Sequence, residues 1–357
     1  MQDISKIDKN FEVKPLELGQ ETVFFNSLEK PFKIYGLILP QNEDDIFHRL
    51  PDDVAKSVSE GVANLGSRTA GGRVKFKTNS PYVCIRAEMP VVSRMPHFTL
   101  CGSAGFDMYK RIDGEDCYCG TFVPPNDMGT GFESKLSTGG ISEETEITIH
   151  FPLYSQVKSL QVGLKAGCTL KSASDYEYDV PVVYYGSSIT QGGCASRPGM
   201  AYQNIISREY NCDHINLGFS GNALGEDSIA EYIAGLNMSV FVYDYDHNAP
   251  NVEHLKKTHK RMFDIIRGKN PNLPIIIVSM PKYPLTNNEV LRREVIKETY
   301  NIAKSQGDNN VYFIDGCEMM KFKGGNEATV DNCHPTDLGF MRMADYIGEA
   351  VGKALEK

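Results

Sequence analysis

The sequence of 357 residues has no tryptophan, no excess of basic residues and no long hydrophobic run. Lysine and arginine together number 37 against 46 aspartate and glutamate residues, which gives a net charge of −9. Because a net negative charge repels the phosphates of nucleic acids, we expect no nucleic-acid partner. No window approaches the roughly 18 apolar residues of a membrane-spanning helix, so we expect no membrane partner either.

Signals for export, metals and nucleotides are also missing. Residues 1–9 contain no apolar stretch like that of a secretory signal, so the nine scattered cysteines favour reduced thiols in a cytoplasmic protein. Cys117-Tyr118-Cys119 has no second Cys-x-Cys pair, and the histidines show no His-x-x-x-His or comparable spacing. Neither Gly-x-Gly-x-x-Gly nor Gly-Lys-Ser/Thr occurs. We predict no metal site and no cofactor.

The first half of the chain alternates apolar and polar residues in the manner of β-strands. Val74 and Phe76 alternate with Arg73 and Lys75, and later segments repeat the pattern with Gly, Pro and Asn turns between them. A period of two predicts strands with one buried side and one solvent-facing side. We therefore predict an all-β domain over residues 1–175, an antiparallel sandwich of jelly-roll type.

From residue 176 onward, strands alternate with helices. Apolar runs predict strands at 182–185, 214–217, 240–245, 274–280 and 311–314. Helices are predicted at 201–210, 227–236, 252–267, 286–306 and 338–355, and Thr286 and Glu289 have the spacing of a capping box. Five strands alternating with helices imply a parallel sheet covered on both faces. The sequence therefore predicts an α/β fold for a second domain over residues 176–357.

The first strand of this second half ends in a glycine and two serines, which include Ser188. In open α/β sheets, ligands bind beyond the carboxyl ends of the strands. A serine nucleophile needs a base, and the base needs a group that orients it. Asp331 stands three residues before His334 after the fifth strand, close enough to turn back onto the imidazole. We predict Ser188 as nucleophile, His334 as base and Asp331 as the group that orients it.

Donors for an oxyanion can come from the ends of the first three strands. The backbone N–H of Ser188 follows the first strand, the N–H of Gly221 the second, and the side-chain amide of Asn248 the third. Glycine lets the backbone approach a ligand closely, and the amide of asparagine cannot lose its donor by titration. These three groups form the predicted oxyanion hole.

The order of serine, glycine, asparagine and Asp-x-x-His at successive strand ends resembles the SGNH (GDSL-like) hydrolase superfamily over residues 181–357. The usual Gly-Asp-Ser-Leu block is Gly186-Ser187-Ser188-Ile189 here, so Ser187 stands where the family has aspartate. Gly105-Phe106-Asp107-Met108-Tyr109 resembles the Gly-x-Asp-Leu-Tyr signature of the β-domain that precedes one subfamily. Two further segments fit that subfamily, 190–199 and 246–250.

The resemblance implies a flavodoxin-like three-layer α/β/α domain and ester hydrolysis without a cofactor. Several similar two-domain enzymes remove acetyl groups from sugars. Three side chains are candidates for substrate contact, namely Ser187, Arg197 and His247. Each has a plainer alternative. Ser187 can cap the following helix, Arg197 can be a solvated loop residue, and His247 can pair with Asp244 or Asp246.

The first hypothesis is therefore a serine esterase that hydrolyses short acyl groups, above all acetyl, on O-acetylated sugars or oligosaccharides. Two alternatives stay open, a non-catalytic carbohydrate-binding protein on the same fold and an acyltransferase. The aspartate missing at position 187 favours the first alternative slightly. The lack of tryptophan means that any sugar surface would use tyrosine or phenylalanine. The sequence leaves open whether the protein is a monomer or a homo-oligomer.

Overall fold

The computed structural model of the chain describes residues 4–9, 12, 21–140 and 143–356. Parts of the predicted N-terminal β region, 1–3, 10–11, 13–20 and 141–142, lie outside the described residues. The described strands form two antiparallel sheets in the first half and one parallel sheet in the second. Within this part of the chain, no helix combines the length and apolar character that a bilayer crossing requires.

The first half of the chain contains ten described strands, and the third of them includes the alternating segment around Val74 and Phe76. In chain order they are β1 Thr22–Asn26, β2 Lys33–Tyr35, β3 Arg73–Thr78, β4 Tyr82–Glu88, β5 Phe106–Ile112, β6 Glu115–Phe122, β7 Gly131–Ser137, β8 Thr145–His150, β9 Ser159–Lys165 and β10 Leu170–Lys171. Three short helices lie between them, α1 Asp52–Val58, α2 Glu60–Gly66 and α3 Leu100–Ser103.

These strands form two sheets that pack face to face. One has the order β1-β9-β4-β7 and the other the order β10-β3-β8-β5-β6, with β2 paired to β3. Apolar side chains from both sheets, among them Phe76, Ile85, Ile149 and Val162, form one fully buried cluster. The antiparallel arrangement follows the sequence pattern, while the narrower jelly-roll topology stays a prediction.

The expectation that Arg73 and Lys75 face solvent is wrong, because both side chains are buried. The guanidinium of Arg73 donates to the carbonyl of Gly71 and pairs with Asp213, and its Nε donates to the hydroxyl of Tyr176 at 3.0 Å. A buried charge needs such partners. The polar residues of the alternating pattern in β3 therefore face the second half of the chain, not solvent.

The second half forms a parallel sheet with helices between its strands. The strands are β11 Tyr178–Gly186, β12 Cys212–Gly218, β13 Val240–Asp244, β14 Ile275–Val278 and β15 Val311–Ile314. The helices are α4 Ser188–Gln191, α5 Tyr202–Tyr210, α6 Asp227–Ala234, α7 Val252–Lys269, α8 Asn287–Ser305, α9 Gly316–Met319 and α10 Asp337–Leu355.

All neighbouring strands of this sheet run parallel, in the order β12-β11-β13-β14-β15. The helices bury apolar residues on both faces, with Leu255 of α7 on one and Phe340 of α10 on the other. The predicted capping box is present, since the hydroxyl of Thr286 accepts from the Glu289 N–H. The prediction of an α/β fold is confirmed. Strand β10 ends at Lys171 and β11 begins at Tyr178, and the domain boundary near 175 stays our proposal.

Candidate active site

Three strand ends of the parallel sheet are tied together beyond Gly186. Its carbonyl accepts from the N–H of Phe219 at 2.8 Å, and the carbonyl of Phe219 accepts from the side-chain amide of Asn248 at 2.9 Å. The N–H of Ser187 donates to the carbonyl of Asp244 at 3.2 Å. A Cβ on Gly186 would lie 2.1 Å from that carbonyl oxygen, so only glycine permits the approach. The loops after β11, β12 and β13 therefore meet at one edge.

Ser188, His334 and Asp331 form a continuous line of hydrogen bonds at this edge. The Oγ of Ser188 lies 2.8 Å from Nε2 of His334, and Nδ1 of His334 lies 2.7 Å from Oδ2 of Asp331. The other carboxylate oxygen of Asp331 accepts from the backbone N–H groups of Cys333 at 3.1 Å and His334 at 2.8 Å. The structure thus brings together the three residues that the sequence assigned to nucleophile, base and orienting group.

The electrostatics of Asp331 favour its charged form. Burial raises the pKa of the Asp331 carboxyl, but the N–H and the imidazole of His334 outweigh burial and hold that pKa below its usual value. An ionised Asp331 requires a proton on Nδ1 of His334. The lone pair of Nε2 then faces the hydroxyl of Ser188. This is the tautomer that a general base needs.

Among the described residues, each of the three predicted oxyanion donors keeps at least one N–H without an acceptor. Ser188 is the first residue of α4, so its N–H has no acceptor within the helix. Gly221 is exposed with φ +69°, and a Cβ there would meet no atom within 4 Å. The side-chain amide of Asn248 donates one hydrogen to the carbonyl of Phe219. This bond fixes the orientation of the amide and leaves its other hydrogen available.

Two of the candidates for substrate contact make hydrogen bonds within the protein. The hydroxyl of Ser187 accepts from the N–H of Ile189 at 3.2 Å and so caps α4, as its plainer alternative held. The guanidinium of Arg197 lies 2.7 Å from a carboxylate oxygen of Asp107 and 2.5 Å from the hydroxyl of Tyr109. Arg197 therefore joins the Gly-x-Asp-Leu-Tyr segment of the first half to the second half.

His247 lies at the site without the expected aspartate partner. Its Nδ1 is 3.7 Å from the sulfur of Cys333, and its Nε2 is buried with no hydrogen-bond partner among the described residues. Both carboxylate oxygens of Asp244 also lack a partner within that part of the chain. Burial, together with the nearby imidazole of His334, lowers the pKa of His247 to about 4. The ring is therefore neutral at neutral pH.

The first half of the chain places two residues beside the candidate active site that the sequence patterns did not indicate. The hydroxyl of Tyr154 donates to the carbonyl oxygen of Ser188 at 3.2 Å. Nε2 of His97 lies 3.8 Å from Oδ2 of Asp331, and the rings of His97 and His334 are 5.9 Å apart. Neither residue belongs to a local sequence motif. Each reaches the site through the packing of the two halves, which the sequence patterns do not show.

Cys194 brings a third metal-capable side chain to the same place. One ligand atom each of His97, Cys194 and His334 lie within 4.8 Å of one another. The expectation of no metal site rested on spacing along the chain. Spacing along the chain cannot detect a group assembled from three distant segments.

Residues 179–351 match the model of the GDSL-like lipase/acylhydrolase family, and residues 22–170 match the model of the N-terminus of SGNH hydrolase-type esterases. Residues 179–351 are thus a GDSL-like lipase/acylhydrolase segment, and an SGNH-type N-terminal segment precedes it in the chain. The predicted resemblance is confirmed for both halves, and the protein is a hydrolase of carboxylic esters. No curated protein matches the sequence.

Solved structures are similar to this chain along most of its length. A protein described as a GDSL-like lipase from Bacteroides ovatus is 29% identical, covers 94% of this chain and 98% of its own, and has a TM-score of 0.84. The salicylyl-acyltransferase SsfX3 of a tetracycline biosynthetic pathway is 20% identical, with a TM-score of 0.76. The match again covers 94% of this chain and 98% of the other. A family two carbohydrate esterase from Clostridium thermocellum in complex with cellohexaose is 15% identical and has a TM-score of 0.59. The match covers 81% of this chain and 94% of the esterase.

Proposed function

We propose that this GDSL-like hydrolase is a serine esterase that removes short acyl groups, above all acetyl, from O-acylated sugars or oligosaccharides. The observation that carries the proposal is the line of hydrogen bonds from Ser188 through His334 to Asp331, with heavy-atom distances of 2.8 and 2.7 Å. Those distances match the reach of a nucleophile to its base and of the base to its orienting group.

In the proposed reaction, Nε2 of His334 takes the proton of Ser188 while Oγ attacks the ester carbonyl. Asp331 stabilises the imidazolium that forms. His334 then gives the proton to the leaving sugar hydroxyl, and the acyl group stays on Ser188. A water molecule attacks this acyl-enzyme with His334 again as base, which releases the carboxylic acid and restores the serine.

The negative charge of the tetrahedral intermediate falls on the former carbonyl oxygen. We assign its stabilisation to the N–H groups of Ser188 and Gly221 and to the amide of Asn248. Hydrogen bonds that tie the three strand ends together support this assignment, because they hold the donors in place before the reaction starts. Donors fixed in advance stabilise a developing charge without a cost of reorganisation.

Two observations support the choice of substrate. Carbohydrate esterases share the fold, one of them solved with a bound cellohexaose, and this likeness supports an oligosaccharide ester without specifying the sugar. The sequence has no long apolar run that would form a lid or tunnel for a fatty chain, which favours a small acyl group. A sugar surface would rest on tyrosine and phenylalanine, since the chain contains no tryptophan.

The test compares hydrolysis of 4-nitrophenyl acetate and of an acetylated oligosaccharide by the wild-type protein and by Ser188→Ala. We expect hydrolysis of both compounds by the wild type and a loss of at least about 10³-fold in Ser188→Ala. Absence of hydrolysis by the wild type would contradict the proposal and favour a binding protein. Faster transfer of acetyl to an added sugar than to water would make the protein an acyltransferase, the activity that SsfX3 has on this fold.

A further inference from the structure

The cluster of His97, Cys194 and His334 contains the ligand types that zinc-like cations prefer. Imidazole nitrogen and cysteine sulfur bind Zn²⁺ and Co²⁺, whereas Mg²⁺ and Ca²⁺ prefer oxygen ligands. We propose that these three side chains form an inhibitory site for a zinc-like divalent cation directly on the catalytic base. The inhibitory effect rests on the function proposed for His334, whereas binding of the cation does not.

The distances allow closure around an ion with a small movement. The three ligand atoms lie within 4.8 Å of one another. In a tetrahedral zinc site with bonds of about 2.0 to 2.3 Å, ligand atoms are about 3.3 to 3.7 Å apart, so a shift of about 1 Å suffices. The side chain of His97 is 42% exposed and can make this shift, whereas Cys194 is buried.

Asp331 gives His334 the environment of a metal ligand. A histidine that binds a metal commonly donates its second ring N–H to a carboxylate, which fixes the ring and makes the free nitrogen more basic. Nδ1 of His334 already lies 2.7 Å from Oδ2 of Asp331. The carboxylate that prepares Nε2 as a base therefore also prepares it as a ligand.

The charges of the bound state balance. Two neutral imidazoles, the Cys194 thiolate and the nearby Asp331 carboxylate offset a cation of charge +2. On binding, the sulfur–hydrogen bond breaks, a sulfur–metal bond forms and the proton passes to solvent. No oxidation or reduction is involved.

Occupation of the site removes the base from the reaction. Nε2 of His334 has one lone pair, and this lone pair faces the hydroxyl of Ser188 at 2.8 Å. A cation that takes the lone pair leaves Ser188 without an acceptor for its proton. The cation would then inhibit hydrolysis reversibly, and a chelator would restore it.

The first arm of the test measures binding without activity. Co²⁺ is added to the purified full-length protein, and the near-ultraviolet charge-transfer band of a cobalt–thiolate bond is recorded. We expect the band in the wild type and in the control Cys168→Ser, which changes a cysteine of a loop before β10, and its absence in Cys194→Ser. A band that persists in Cys194→Ser would overturn the proposal, as would no band in the wild type.

The second arm measures inhibition of 4-nitrophenyl acetate hydrolysis by Zn²⁺, with Mg²⁺ for comparison. We expect His97→Ala and Cys194→Ser each to raise the half-inhibitory Zn²⁺ concentration by at least about tenfold, and Mg²⁺ to have no effect. Equal Zn²⁺ sensitivity in all variants would overturn the proposal. Because His97 is half exposed, His97→Ala keeps the test valid if Cys194→Ser fails to fold. Absence of hydrolysis without metal would count against the esterase proposal alone, since the cobalt spectrum tests the site independently.

Discussion

The hydroxyl of Tyr154, from the antiparallel half, donates a hydrogen bond to the backbone carbonyl oxygen of Ser188, in the parallel half, at 3.2 Å. The ring of Tyr154 packs edge-on against Phe98 with a centroid distance of 5.2 Å. Burial raises the pKa of Tyr154 far above neutrality, so its hydroxyl stays a donor. The first half of the chain therefore helps to hold the helix turn that carries the proposed nucleophile.

We expect Tyr154→Phe to lower kcat for 4-nitrophenyl acetate by about three- to tenfold and to leave KM nearly unchanged, which corresponds to about 0.7 to 1.4 kcal/mol in the barrier. The carbonyl of Ser188 keeps its bond from the N–H of Gly193 at 2.8 Å, so the fold survives. The control is Tyr82→Phe, which removes a hydroxyl bonded to Thr22 in the first half. An unchanged kcat in Tyr154→Phe would show that Tyr154 only fills space.

Gly193 is the second position where packing should control activity. An added Cβ would lie 3.0 Å from the carbonyl oxygen of Ser188, 3.0 Å from the hydroxyl of Tyr154 and 3.2 Å from Cδ2 of His334. We expect Gly193→Ala to shift the imidazole and lower kcat at least about tenfold, because small displacements of reacting groups are costly. Gly129→Ala is the matched control, since a Cβ there meets no atom within 4 Å. Similar kcat values for the two variants would rule out this constraint on His334.

The buried carboxylate of Asp107 should make stability depend on acid. Burial raises the pKa of Asp107, but the ring nitrogen of His150 at 2.8 Å and the guanidinium of Arg197 at 2.7 Å outweigh burial and hold that pKa below its usual value. A carboxyl with a lowered folded-state pKa stabilises the protein above its unfolded-state pKa of about 3.9, and this contribution is lost as the pH falls through the folded-state value.

Asp107→Asn should therefore lower the free energy of unfolding at neutral pH by about 3 to 5 kcal/mol, because Arg197 loses its charged partner. Urea unfolding at neutral pH and near about pH 3.5 should show a smaller acid effect in the variant than in the wild type. Asp44→Asn changes an exposed carboxylate and serves as the control. The same acid dependence in Asp107→Asn and the wild type would contradict the assignment.

The sequence was informative where position along the chain determines position in space. Parallel strands place their carboxyl ends at one edge, so Ser188, Gly221 and Asn248 could be assigned together from the strand order. Asp331 and His334 are three residues apart, and their contact is local. The helix cap at Ser187 also follows from its place directly before a helix.

Contacts that depend on the packing of the two halves could not be predicted. Alternation distinguishes two sides of a strand, but it does not distinguish water from a neighbouring domain, which is why Arg73 was expected in solvent. Arg197 pairs with Asp107, which lies 90 positions earlier in the chain. Tyr154 and His97 lie in segments whose composition gives no sign that a nucleophile is near.

Ser188 should carry the acyl group during turnover, and acid quenching after mixing with 4-nitrophenyl acetate tests this most directly. Mass spectrometry of the digested protein should find one acetyl group on the Ser188 peptide in the wild type and in Ser187→Ala, which loses only a helix cap of about 1 kcal/mol. Ser188→Ala should carry none and should not turn over. Full turnover by Ser188→Ala, or acetyl bound only at another residue during turnover, would contradict the account.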